Sequence, residues 1–232
     1  MANQKTKKNK MPKEQKTPFK ELNFSEKVSY IFGYYKYYAL AFLIAAAFIG
    51  YTVYSFIQNN YDVVCNIVAV DGKITGYDTF SDDITKGFSN YLGIDGKKTR
   101  VEIDFNYSLI VQPLDQEANV SQNKIYILAS VGSIDGYMAN RDYIDYFSTD
   151  TETFLVDLRE LLSSDELERI GDENIIYYTK KDGTAVPIAV DLSGTKIKTE
   201  TDLTMESPCY GVVVSAQNTE NAVSFIRYAF DL

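Results

Sequence analysis

The 232-residue chain has no histidine, no tryptophan and only two cysteines, and its 21 residues from Tyr37 to Ile57 carry no charge. Each absence excludes something. Without histidine there is no imidazole to serve as a general base near neutral pH, and the commonest zinc ligand is missing. Ser-His and Cys-His nucleophile pairs and the HExxH motif go with it. Cys65 and Cys209 stand 144 positions apart, which excludes a CxxC redox pair and a cysteine-rich metal site. The patterns GxGxxG, GxxxxGK[ST] and GxSxG are absent as well. The expectation is a non-enzymatic protein with no catalytic, cofactor-binding or metal-binding residue to assign.

Charge is present but unevenly divided. The whole chain carries −9, from 23 Lys+Arg and 32 Asp+Glu. Residues 1–36 hold nine lysines and three glutamates, a net +6; residues 58–232 hold 14 basic and 29 acidic groups, a net −15. A region at −15 has no electrostatic footprint for nucleic acid. Residues 1–23 are lysine-rich and nearly devoid of apolar side chains, so they read as a disordered basic tail. Over 24–36, Val28, Ile31, Phe32 and Tyr35 recur on one helical face, with Ser25 as N-cap and Glu26 in the first turn. That pattern predicts an amphipathic juxtamembrane helix, lying along the membrane or running straight into the next segment.

The uncharged run is about the length needed to cross a hydrocarbon core of roughly 30 Å. Tyr34, Tyr35, Tyr37 and Tyr38 cluster at one end and Tyr51, Tyr54 and Tyr61 at the other, as headgroup-level anchors would. The reading is a transmembrane helix over 37–58, with residues 37–57 in contact with the lipid bilayer. The lysine excess places the N-terminus in the cytoplasm and residues from about 58 outside. The run exceeds a signal-peptide core, and no small-x-small site follows it, so an uncleaved anchor is expected. Ala41, Ala45, Ala46 and Gly50 offer small-xxx-small spacing for helix packing.

Residues 61–232 read as one extracytoplasmic α/β domain. Asp62–Val70 is a β-rich, almost continuously apolar strand. A helix opened by Ser81-Asp82-Asp83 buries Ile84, Phe88 and Leu92 and stops at Gly93; Thr99–Tyr107 alternates as a half-buried strand. Gln116–Val131 has helical spacing at Ile125, Leu128 and Ala129 but strand composition in KIYILAS, and helix is preferred. A short strand over Ile134–Ala139 and a short helix over Arg141–Phe147 follow. Phe154–Leu162 reads as a short amphipathic element. Ser163-x-x-Glu166 has capping-box form. Ile175–Tyr178 and Ala185–Val190 flank an Asp182-Gly183 turn as a hairpin. Tyr210–Ser215 is a buried strand, and the last helix starts at Asn218-Thr219-Glu220 with Ala222, Val223, Ile226, Ala229 and Phe230 on its apolar face. This alternation predicts an α/β fold with a mostly parallel sheet flanked by helices.

Three stretches carry a resemblance. They are Gly132-Ser133-Ile134-Asp135-Gly136-Tyr137-Met138-Ala139; Phe154–Leu162 followed by Lys181–Pro187; and Val212–Phe230. In this order, over about 115 residues, they resemble the type 2 periplasmic solute-binding class. Phe19–Lys36 ahead of one span is similar to the anchored layout of uncharacterised membrane proteins of clostridial bacteria. The resemblance implies one lobe of a periplasmic-binding-like fold. In that class a second lobe of roughly a hundred residues separates the Pro-containing strand from the closing strand. Here only about Ala189–Pro208 fills the gap, so the second lobe, the hinge and the interlobe cleft are expected to be missing.

Two functions follow from this reading. One is a membrane-anchored domain that binds a membrane protein partner or small ligand at the outer face. The other is a solute-binding component that delivers a small ligand to a transporter. The second would use the carboxyl ends of the strands, with Asp71-Gly72 and Tyr107-Ser108 as candidate positions. Acidic pairs at Asp142/Asp145, Asp150/Glu152, Asp165/Glu166/Glu168 and Asp172/Glu173 lack calcium-loop spacing and read as a solvated face. Cys65 and Cys209 read either as buried thiols or, if their strands are neighbours, as a disulfide.

Overall fold

The computed structural model describes residues 23–72, 79–109, 116–147, 154–201 and 203–232. The chain divides into two compact units, residues 1–59 and 60–232. The basic tail, residues 1–22, lies outside the described residues.

In the first unit a single helix, α1, runs unbroken over Phe24–Asn59. The juxtamembrane segment and the apolar run are therefore one helix, the second of the two expected arrangements. Its cap is Asn23, not Ser25. The Glu26 N–H donates to Asn23 Oδ1 at 2.9 Å and the Asn23 N–H to Glu26 Oε2 at 2.9 Å, a reciprocal capping pair. Tyr35–Asn59 is long and apolar enough to cross a membrane. Its large side chains, among them Phe42, Phe48 and Ile49, are exposed.

The second unit is built around a six-stranded sheet ordered β2-β1-β3-β6-β5-β4. Its strands are β1 (Asp62–Val70), β2 (Thr99–Tyr107), β3 (Gly136–Asn140), β4 (Ile175–Thr179), β5 (Ala185–Asp191) and β6 (Pro208–Val212). The β1–β2 and β1–β3 pairs are parallel; the β3–β6, β5–β6 and β4–β5 pairs are antiparallel. Four strands thus point one way, and β4 and β6 run against them. The sheet is mixed, mostly parallel in strand direction but not in every pairing. The antiparallel members arise from the β4–β5 hairpin and from β6 returning between β3 and β5.

Alternation along the strands feeds two cores, one on each face. Cys65, Ile67 and Ala69 of β1 face the side covered by α2 (Thr79–Tyr91) and α7 (Thr219–Phe230), where Phe88 and Phe225 meet edge to face at 5.0 Å. Val68 and Val70 face the side covered by α3 (Gln116–Ser130) and α4 (Arg141–Phe147), through Ile125, Ala129 and Ile144. The ambiguous 116–131 segment is therefore helical: its buried residues Ser121, Ile125 and Ala129 repeat every four positions. The last helix buries Ala222, Val223, Ile226 and Ala229 as read from its sequence, and Phe225 as well, while Phe230 is only partly buried. Phe154–Leu162 is not one amphipathic element. Leu155 bridges Val213 as an extended residue, and only Leu158–Glu160 turns, as a 3-10 helix capped by Asp157.

Local chemistry fixes the remaining elements. Ser163 accepts from the Glu166 N–H, and Glu166 reaches back to the Ser163 N–H at 2.8 Å, which starts α5 (Ser164–Ile170). Gly183, at φ 87°, supplies the left-handed residue of the β4–β5 turn, and Asp182 accepts from the Thr184 N–H at 2.8 Å. A short helix, α6 (Lys196–Thr199), lies in the connection from β5 to β6.

Candidate functional site

The carboxyl ends of β1 and β2 were the expected ligand edge, and the structure brings the two candidate positions together. Asp71 ends β1 with a positive φ of 54°, a conformation asparagine and aspartate tolerate better than most residues. Its N–H donates to the Tyr107 carbonyl at 2.9 Å. Its carboxylate accepts from the Ser108 hydroxyl at 2.6 Å and the Leu109 N–H at 3.2 Å. Ser121 of α3 accepts from the Ser108 N–H at 3.3 Å. Gly72 has no room for a side chain: a Cβ there would stand 2.7 Å from Phe105 Cδ1 and 2.9 Å from Met205 Cε.

The neighbouring strand ends are joined in the same way. Asn140 Oδ1 accepts from the Ser207 N–H at 3.0 Å, and Lys198 Nζ donates to the Leu203 and Met205 carbonyls at 2.6 and 2.8 Å. Among the described residues, these polar groups at the edge bond to one another and hold it together. Residues 73–78 and 110–115, which continue from these ends, lie outside the described residues.

A groove of about 400 Å³ lies elsewhere, beside edge strand β4. Ile175 and Pro187 form apolar lining; Arg159, Glu168, Asp172 and Tyr177 contribute polar groups. Tyr177 Oη donates to Asp172 at 2.5 Å, and this bond holds the phenol above its ordinary pKa. Arg159 is gripped by Asp157 through contacts of 2.5–3.1 Å, which hold the Asp157 carboxyl below its usual range. No sequence motif marked this groove. Its lining comes from five separate stretches between positions 159 and 187, each ordinary alone.

Of the acidic residues read as a solvated face, Asp142, Asp145, Asp165, Glu168, Asp172 and Glu173 are exposed, and two of the group, Glu166 and Asp172, also hold a partner side chain. Glu166 pairs with Arg227 at 2.7 Å, and the guanidinium is the main reason its carboxyl is pulled down to about 2. Asp172 holds Tyr177, as above. Asp150 and Glu152 lie outside the described residues. Among the described residues no three acidic or cysteine side chains are grouped to hold a metal ion.

Cys65 and Cys209 are buried free thiols, in β1 and β6 with β3 between them. Their side chains belong to the cores on opposite faces of the sheet. A disulfide is excluded by that placement. Burial pushes both thiols upward, Cys209 to about 12.

Sequence reasoning missed the role of one buried polar residue of the domain. Asp135 is 2% exposed just ahead of β3. Its Oδ2 accepts from the Asn66 N–H at 2.9 Å and from Asn218 Nδ2 at 3.1 Å; its Oδ1 accepts from the Asn218 N–H at 2.8 Å. Its backbone also pairs, donating to the Asn66 carbonyl and accepting from Val213. One side chain therefore joins β1, β3 and the start of α7. The acidic residue opening a strand was visible, but its partners, 69 and 83 positions away, were not.

No family model, no curated protein and no solved structure matches this chain.

Proposed function

We propose that the chain is a single-pass membrane protein. Its N-terminus is cytoplasmic, and its acidic α/β domain is displayed outside the cell to bind a protein partner or ligand without catalysing a reaction. One observation carries the reading: an apolar helix with all its large side chains exposed leads, after Asn60 and Tyr61, into a separately cored α/β unit. The +6 before the helix and the −15 after it support the orientation.

The likeness to one lobe of a periplasmic solute-binding fold is part of the same proposal. The place where that class carries its second lobe lies between the Pro187-bearing β5 and the closing β6. Those strands are direct antiparallel neighbours here, joined through residues 192–207. This supports a single lobe without a hinge, and it weighs against capture by closure of two lobes.

A second reading, binding of a small solute, is favoured by the 400 Å³ groove, which is large enough for a small ligand. The primary test uses epitopes at both ends of the full chain in intact cells. External protease is expected to remove the C-terminal epitope and spare the N-terminal one; the reverse pattern refutes the orientation. A thermal-shift screen of the detergent-solubilised chain with amino acids, sugars and short peptides separates the two readings. A ligand bound only by the folded state raises the midpoint.

A further inference from the structure

The edge of the sheet at which β1 begins also receives the end of α3, residues 131–135 ahead of β3, and residues 213–218 between β6 and α7. These segments abut. The Ser215 hydroxyl donates to the Ala129 carbonyl, and a Cβ on Gly132 would stand 3.0 Å from the Ser215 carbonyl. Asn66 Nδ2 in β1 donates to the Ser133 carbonyl at 2.6 Å.

Two features of this edge are unusual for the molecule. Ile125–Ile134 and Ser207–Thr219 contain no Asp, Glu, Lys or Arg, in a region that holds 29 acidic and 14 basic groups. The same segments expose Ile127, Val131 and Val214, at 63%, 59% and 59%. A single exposed aliphatic is ordinary, whereas a group of them on adjoining, charge-free segments marks a surface that meets something apolar.

The occupant follows from the chain itself. Only Asn60 and Tyr61 separate the last residue of α1 from the first residue of β1. Two residues reach no more than roughly 10 Å, so the start of β1 stays near the end of the apolar helix at any angle between the units. Resting on the membrane-anchor reading above, we propose that Ile127, Val131 and Val214 dock on the outer lipid surface of the bilayer that the same chain spans. Because Ile125–Ile134 and Ser207–Thr219 carry no charge, they add neither a desolvation cost nor headgroup repulsion to that contact; Glu220, directly after them, is paired with Arg227 at 2.9 Å. The covalent tether keeps the lipid at high effective concentration, so a small apolar area suffices.

The lack of tryptophan gives a clean optical test. The full-length chain is placed in nanodiscs with or without brominated acyl chains. Single-tryptophan variants Val131→Trp, Val214→Trp, Phe48→Trp in the span and Ser193→Trp beyond the carboxyl end of β5 are compared. Bromolipid is expected to quench Phe48→Trp strongly, Val131→Trp and Val214→Trp at least twofold, and Ser193→Trp little. If the two valine sites match Ser193→Trp while Phe48→Trp is quenched, the docking is refuted and the anchor stands. If Phe48→Trp also escapes quenching, the anchor is refuted and the docking falls with it. Because an indole itself favours interfaces, hydrogen exchange of the unsubstituted chain is the second measurement. Amides at 130–134 and 213–217 are expected to exchange at least threefold more slowly in nanodiscs than in detergent. Equal rates overturn the proposal, as does protection that appears only when two chains share a disc.

Discussion

Replacing Asp135 by alanine tests the load placed on one buried carboxylate. The substitution strips acceptors from the Asn66 and Asn218 N–H groups and from Asn218 Nδ2. A buried N–H left without a partner costs about 1–3 kcal/mol, and a lost hydrogen bond about 1 kcal/mol more. Both N–H groups are only partly buried, which places each at about 1–2 kcal/mol, and with the Asn218 Nδ2 bond the sum is about 3–5 kcal/mol, a large share of the roughly 5–15 kcal/mol that holds a domain folded. Asparagine at this position keeps the shape and one acceptor but turns an NH₂ toward a donor, so about 1–3 kcal/mol is expected. Urea unfolding of the detergent-solubilised full chain, followed by near-ultraviolet tyrosine dichroism, reads both variants. With a slope of about 2 kcal/mol per molar urea, Asp135→Ala should lower the midpoint by roughly 2 M and Asp135→Asn by less. A fall under about 0.5 M for Asp135→Ala, at unchanged slope, would show that β1, β3 and α7 are held together without this residue.

Two further outcomes follow from the same structure. Arg227 holds the Glu166 carboxyl at about 2 against an ordinary value near 4.5, so the pair stabilises the folded state above about pH 4.5 and loses that contribution as the pH falls toward 2. Solvent reaches both partners, so the contribution is about 1–2 kcal/mol; the stability gap between the native chain and Glu166→Gln should close on acidification, and a gap constant from pH 7 to pH 3 contradicts the pairing. Cys65 and Cys209 should resist maleimide in the folded full chain at pH 7 and both react after denaturation without reductant. A requirement for reductant would mean that the two thiols are bridged and that the strand order is wrong.

What the sequence made legible was local. The capping box at Ser163, the Asp182-Gly183 turn and the alternating β2 are written within four to nine residues, and each forms where it was read. The helical reading of 116–131 rested on its acidic start and on the stop at Gly132, and the helix forms because Ser121, Ile125 and Ala129 have a core to face. The start of α1 at Phe24 was read, but its cap was misassigned by two residues because Ser25 and Asn23 are both acceptable caps, and only the geometry of Glu26 selects between them. The groove beside β4 and the clamp at Asp135 were invisible for a common reason. Each is made of residues that carry no pattern until the sheet has assembled.

The direction of β6 shows most clearly why the rest was out of reach. Tyr210–Ser215 was read as a buried strand; the strand is Pro208–Val212, with Val214 and Ser215 exposed beyond it, and a buried run does not reveal its neighbours. In the folded sheet β6 stands between β3 and β5 and is buried at every position. It is also fitted there: a Cβ on Gly211 would meet Leu155 Cδ1 at 2.6 Å and the Ile188 carbonyl of β5 at 2.7 Å. Without β6, β1–β3 and the β4–β5 hairpin share no strand pairing. The five residues of β6 therefore convert two partial sheets into one. Residues 213–218, which leave β6 for α7, are also the charge-free segment at the edge where β1 begins. The element that completes the core and the surface proposed to rest on lipid are thus consecutive in the chain, so that surface forms only once the central strand is in place.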